Sequence, residues 1–136
     1  MENRFLSRGK RIDNGEWVKG NLIRSNDAEV GYEAIIIPTN DSNMYTKGGS
    51  RGDLGFENWH RVNETTICQC TGYEGTYEKD IFRCEDEDYV IKWSDDSLSW
   101  EAVSLFTDVS VSLAEFNPDY IDVIGNEIDN PELLEV

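Results

Sequence analysis

The sequence predicts a mainly β fold, on three observations. Asn14-Gly15 separates two runs with strand character near the start, and Asn-Gly is the strongest short-range signal for a hairpin with a type I′ turn. Glu33 to Ile37 is a β-branched run closed by Pro38. From Val62 onward, short apolar runs recur at near-regular spacing between turn residues, the pattern of a small barrel or sandwich. The expected architecture is an N-terminal β-hairpin/sheet region over residues 1–61 with a long loop at 39–55. A small β-barrel-like module, SH3-like or a sandwich, follows over 62–136 and ends in a short helical turn, the whole making one compact unit. A chain of 136 residues buries roughly two-thirds of its extended surface, enough for one modest core or two small ones. A multidomain enzyme is excluded.

The hairpin arms are expected at Arg8 to Asp13 and Glu16 to Arg24, and Gly20 interrupts the alternation of the second arm as a bulge would. Thr39 to Gly55 is rich in Asn, Asp, Ser and Gly and reads as loop. Strands are expected at Thr65 to Thr71, Lys79 to Cys84, Tyr89 to Trp93 and Trp100 to Phe106. Ser94-Asp95-Asp96-Ser97 then makes a tight connection that sets Trp93 near Trp100 across a hairpin. Val109 to Phe116 is too short for periodicity to choose between strand and helical turn. Tyr120 to Gly125 reads as the last strand. Asp129-Asn130-Pro131-Glu132 then supplies a cap, a proline at the first helical position and an acid in the first turn.

The chemistry-bearing residues are few. Cys68, Cys70 and Cys84 are an odd number without a CxxC pair, so neither a disulfide framework nor a zinc knuckle is expected, even with His60 as a fourth ligand. A reducing cytoplasm suits these thiols. Lys47-Gly48-Gly49-Ser50-Arg51-Gly52-Asp53 has glycines but not the GxxxxGK[ST] order, so it reads as surface loop and not as a phosphate site. Glu85-Asp86-Glu87-Asp88 repels itself and belongs on a solvated turn; it lacks the spaced oxygens and loop glycine of a calcium site. His60, between Trp59 and Arg61, has no nucleophile motif to serve. No catalytic, cofactor-binding or metal-ligating residue is therefore assigned, and the chain is read as noncatalytic and without cofactors.

Charge is large and uneven. Twelve Lys and Arg against 28 Asp and Glu give −16 overall. Residues 1–24 carry six bases and three acids, while residues 67–136 carry three bases and eighteen acids. Direct nucleic-acid binding is not expected of so acidic a chain. No signal-peptide pattern opens the sequence, and Ala34-Ile35-Ile36-Ile37 is far short of the roughly 18 apolar residues of a membrane span. The opposed ends favour head-to-tail contacts between copies, hence a homo-oligomer.

Three stretches together resemble one known family. The first is Phe5 to Gly20, FLSRGKRIDNGEWVKG, similar to the family's opening FRGK…NGEWVEG. The second is Thr71-Gly72, then Tyr77-Glu78-Lys79-Asp80-Ile81 and Val90-Ile91-Lys92-Trp93. The third is Val123 to Leu134, VIGNEIDNPELL, close to the family's terminal VIGNIYDNPELL. Two departures stand out. A lysine-rich turn after Thr71-Gly72 is shortened to Tyr73-Glu74-Gly75-Thr76, and Lys79 stands where relatives have glycine. Together the three stretches resemble the YopX family of phage and prophage proteins, and the resemblance implies a β architecture, mobile-element origin and no assigned activity. The expected function is a phage or prophage accessory protein of unknown function, an oligomeric module binding a host or phage protein. The alternative is an acidic anti-defence protein that imitates DNA before a host nuclease or regulator.

Overall fold

The computed structural model describes residues 5–25, 34–39, 44–47, 53–73 and 75–135. They form two five-stranded sheets, a separate two-stranded ladder and single 3-10 turns. The chain divides into two compact units, passing from one to the other between Cys68 and Gln69. The mainly β class is what the alternating runs predicted.

In the first unit, β1 (Ser7–Lys10) and β2 (Trp17–Arg24) form the expected hairpin, with Ser7 opposite Gly20 and Lys10 opposite Trp17. Its turn is not type I′. Gly15 has φ +73° but Asn14 does not share the positive φ that a I′ turn needs at both central residues. The loop is longer, closed by Arg11 N–H donating to Glu16 O at 2.9 Å. Asn14 contributes through its side chain, whose oxygen accepts the Glu16 N–H at 2.9 Å. Gly20 is not a bulge either. Gly20 pairs in register with Ser7 on β1 and with Pro38 on β3 (Ala34–Pro38), and a Cβ there would collide with the backbone of Ile37. Glycine lets the two strands approach.

The expected loop at 39–55 contains two strands, β4 (Met44–Lys47) and β5 (Asp53–Phe56), paired antiparallel with Lys47 opposite Asp53. Tyr45 and Thr46 are strand formers, and the polar composition of the whole stretch hid that short run. Residues 40–43 and 48–52 lie outside the described residues, and with them most of the glycine-rich segment at 47–53. Two short strands complete the larger sheet: β6 (His60–Arg61) beside β3, and β7 (Cys68–Gln69) beside β1, giving the order β6-β3-β2-β1-β7. Between them a 3-10 turn, Glu64–Thr66, is capped by Asn63, whose side chain accepts the Thr65 N–H. Ala34, Ile36 and Val62 form the core, with Val18, Leu22 and Ile67 packed on it. Val62 had been assigned by sequence to the following module.

The second unit is a sheet of β8 (Asp80–Cys84), β9 (Glu87–Ser94), β10 (Ser99–Ser104), β11 (Ser110–Ser112) and β12 (Asp122–Asn126). Its order is β11-β10-β9-β8-β12. Among the described residues the sheet stays open where a barrel-like module was expected, because its edges β11 and β12 are not paired with each other. Trp93 faces Trp100 across the β9–β10 ladder, with ring centroids 5.2 Å apart and edge-to-face, as the tight Ser94–Ser97 connection required. Phe82, Ile91, Ala102 and Leu113 form the core, joined by Tyr89, Trp100, Phe116 and Ile121. The ambiguous Val109 to Phe116 segment is both strand and turn: β11, then a 3-10 turn at Leu113–Glu115.

The C-terminal VIGN…DNPELL motif is a structural clasp. A register shift lies between Val123 and Gly125, and a Cβ on Gly125 would reach Leu133 Cδ1 at 3.0 Å. Buried Asn126 then folds the chain back. Its side-chain oxygen accepts the N–H groups of Ile128 and Asp129 at 3.0 and 2.8 Å, and Asn130 Oδ1 accepts the Asn126 N–H at 3.2 Å. The expected helical turn is a single 3-10 turn, Pro131–Leu134. Lys79 has φ +72°, so the left-handed backbone suited to the family's glycine persists without it.

Candidate functional site

The acidic run Glu85-Asp86-Glu87-Asp88 lies at the β8–β9 hairpin. Cys84 opposite Glu87 leaves Glu85 and Asp86 as a two-residue loop, both left-handed at φ +51° and +66°. That is the φ sign of a type I′ turn, made without glycine or asparagine. Chain geometry thus holds four consecutive carboxylates at one hairpin tip.

The run is more than a solvated turn, because Glu87 is fixed from two sides. The Ser104 hydroxyl donates to its Oε1 at 2.6 Å and the Tyr89 hydroxyl to its Oε2 at 2.9 Å. The Ser104 bond first, then that of Tyr89, holds the Glu87 carboxyl below its ordinary value against a smaller opposing effect of desolvation. Burial, then the bond to Glu87, pushes the Tyr89 phenol up. Arg83 binds Asp88 through two nitrogens at 2.8 and 3.2 Å. Among the described residues, Asp88 is the one member of the run with a cation partner.

Two cavities meet this tip. The larger, about 650 Å³, is lined by the 85–88 run, Glu132 and Glu135 together with Leu105, Phe106 and Leu133. Phe106 is 79% exposed there. The smaller, about 370 Å³, sets Glu85, Glu87 and Glu115 beside the rings of Tyr89, Phe116 and Tyr120. Phe116 follows the Leu113–Glu115 turn, and Tyr120 ends a second 3-10 turn, Pro118–Tyr120, capped by the Asn117 side chain. Tyr89 and Phe116 meet edge-to-face at 5.1 Å, and each packs on buried Phe82, at 5.3 and 5.2 Å.

Cys68 and Cys70 are buried and Cys84 is half-buried, and none of the three forms a disulfide. Burial and Glu85 push the Cys84 thiol up, away from a reactive thiolate. His60 is half-buried near Ile12, Asp13, Trp59 and Arg61 in a hollow of about 230 Å³. Burial, and then the Arg11 charge, lower its pKa. Among the described residues, no group of three or more His, Cys, Asp or Glu is arranged to hold a metal ion. No described helix is long and apolar enough to cross a membrane. The grouping of Tyr89, Phe116 and Tyr120 escaped sequence reasoning, since residues 89 and 120 meet only through the fold. Asn117-Pro118, a turn-initiating pair, was the one local signal nearby.

An open two-sheet β protein with an acidic, partly aromatic concave surface is the class that fold and site define. Within that class the chain belongs to the YopX family: the family model described as YopX protein matches residues 8–135. No curated protein and no solved structure matches the chain. The three stretches that carry the resemblance map onto the β1–β2 hairpin, the approach to and pairing of β8 and β9, and the C-terminal clasp.

Proposed function

We propose that the chain is a noncatalytic accessory protein of phage or prophage origin, acting in the cytoplasm as an oligomeric protein-binding module. The observation that carries the binding part is the larger cavity, whose apolar residues lie among carboxylates. Apolar and aromatic side chains mixed with charged ones are the make-up of a protein-binding patch, and the carboxylates select a basic partner. Oligomer formation is supported by the opposition between the basic segment 1–24, where Lys19 and Arg24 are exposed, and the acidic segment 67–136. The noncatalytic part rests on the sequence, where His60 has no nucleophile motif to serve.

The alternative, imitation of DNA, needs carboxylates spaced like phosphates, about one per 1.7 Å of duplex axis. Here Glu85 to Asp88, Glu115, Glu132 and Glu135 share their cavities with apolar and aromatic side chains, which supports a polypeptide partner instead. Light scattering at micromolar concentration is expected to show oligomers that dissociate as salt is raised; monomer at every salt concentration removes the oligomer. Tagged wild-type protein is expected to retain from host extract a partner that Phe106→Ser loses. Identical captured sets would overturn the assignment of this face.

A further inference from the structure

We propose that the smaller cavity is a seat for the cationic side chain of a basic segment in a partner protein, with arginine the best fit. This rests on the protein-binding reading above and gives the partner its chemistry. Three aromatic rings line the cavity, and an aromatic face attracts a cation through its quadrupole. Two of those rings are rooted on buried Phe82, so the site is pre-formed at its base, while Tyr120 is 69% exposed. Glu85, Glu87 and Glu115 supply the countercharge, with Glu87 held in place by Ser104 and Tyr89. A guanidinium both stacks on rings and offers paired donors to a carboxylate, which an ammonium cannot do as well.

The cavity's volume of about 370 Å³ is near the lower end for small-molecule sites, matching a side chain better than a cofactor. It shares Glu85 and Glu87 with the larger cavity, so a segment whose arginine occupies the rings can continue past Phe106. A second copy of this chain is a poorer occupant. Arg8 and Lys10 lie over the Trp17 ring at 4.6 and 5.4 Å, and Arg11 is paired with Asp13 at 2.6 Å. Those cations would have to leave partners they already have.

The test uses the full chain and fluorescence anisotropy with a labelled Gly-Ser peptide bearing two arginines, set against the same peptide with neutral citrulline. The arginine peptide is expected to bind at least about tenfold more tightly, and Tyr120→Ala and Glu115→Gln each to weaken it about fivefold. Asp96→Asn removes the same charge as Glu115→Gln from the exposed β9–β10 turn, and is expected to change binding by less than about twofold. Equal binding of both peptides, or equal losses from Asp96→Asn and Glu115→Gln, would overturn the proposal. Spermidine binding as tightly as the peptide would assign the cavity to small polyamines and overturn the polypeptide source. If no peptide binds while Phe106→Ser still loses its captured partner, the seat falls and the protein-binding reading stands. If the arginine peptide binds as expected while Phe106→Ser captures what the wild type does, the seat stands and the wider reading falls.

Discussion

The two sheets handle charge in opposite ways. In the N-terminal unit the cations of the first strand and its turn sit against groups of the same hairpin: Arg8 and Lys10 on Trp17, Arg11 on Asp13. In residues 67–136, three bases face eighteen acids, and two of the three are engaged, Arg83 by Asp88 and Lys92 by Glu127 at 3.9 Å. The cores differ too, small and aliphatic in the first unit, with a stacked aromatic group in the second. One class of architecture thus yields a first strand whose cations rest on groups of its own hairpin and a sheet that leaves carboxylates beside rings. The second arrangement invites a basic partner.

The largest expected effect breaks the aromatic half of that contrast. Phe82 is fully buried and supports both Tyr89 and Phe116, so Phe82→Ala should cost about 3–5 kcal/mol in urea unfolding. Ile36→Val, at the centre of the aliphatic core, should cost about 1 kcal/mol. Equal losses would mean that the aromatic group does not anchor its unit. Next comes the clasp that brings Glu132 and Leu133 to the larger cavity. Asn126→Ala strips the acceptor from two backbone N–H groups and should cost about 1–3 kcal/mol, with amide exchange rising over residues 127–135. Unchanged exchange there would show that the clasp holds without it.

A pH titration sharpens the electrostatic half. Glu87 has its folded pKa depressed by Ser104 and Tyr89 below the ordinary 4.5, so the unfolded chain binds that proton more readily. Its stabilisation is complete above the unfolded value and disappears as pH falls through the folded one. The wild-type melting temperature should therefore exceed that of Glu87→Gln at neutral pH, and the gap should close in acid. A gap independent of pH would contradict the bonding seen at Glu87. The smallest effect is a gain. Lys79 occupies left-handed backbone at φ +72°, so Lys79→Gly should raise stability by about 0.5 kcal/mol, relief of strain less the entropy that glycine loses.

Local chemistry was legible in the sequence where one ladder or one cap decides the outcome. The Trp93–Trp100 pair, the opening hairpin and the Pro131 turn follow from alternation, turn residues and a proline at the first helical position, all short-range. The expected cap is absent: the Asn130 side chain makes no capping bond to the turn and accepts the Asn126 N–H instead. The errors came from context that lies elsewhere in the chain. Asn14-Gly15 reads as a two-residue turn until the register places Glu16 opposite Arg11; Gly20 reads as a bulge until β3 comes close. The strands at 44–47 and 53–56 were hidden by polar composition. The open edge of the second sheet depends on which strands fail to meet, which no local pattern encodes. The carboxylate run was visible, but its place as one wall of an aromatic cavity was not, because β10 and β11 separate it in the chain from Phe116 and Tyr120.

The contrast between the units can be read directly by backbone NMR, titrating the isotope-labelled full chain with the two-arginine peptide. Shifts should concentrate in residues 84–89 and 115–120, extend to 105–106, and leave the β1–β2 hairpin at 7–24 unmoved. Shifts centred on that hairpin, or spread evenly over the acidic residues, would contradict the account.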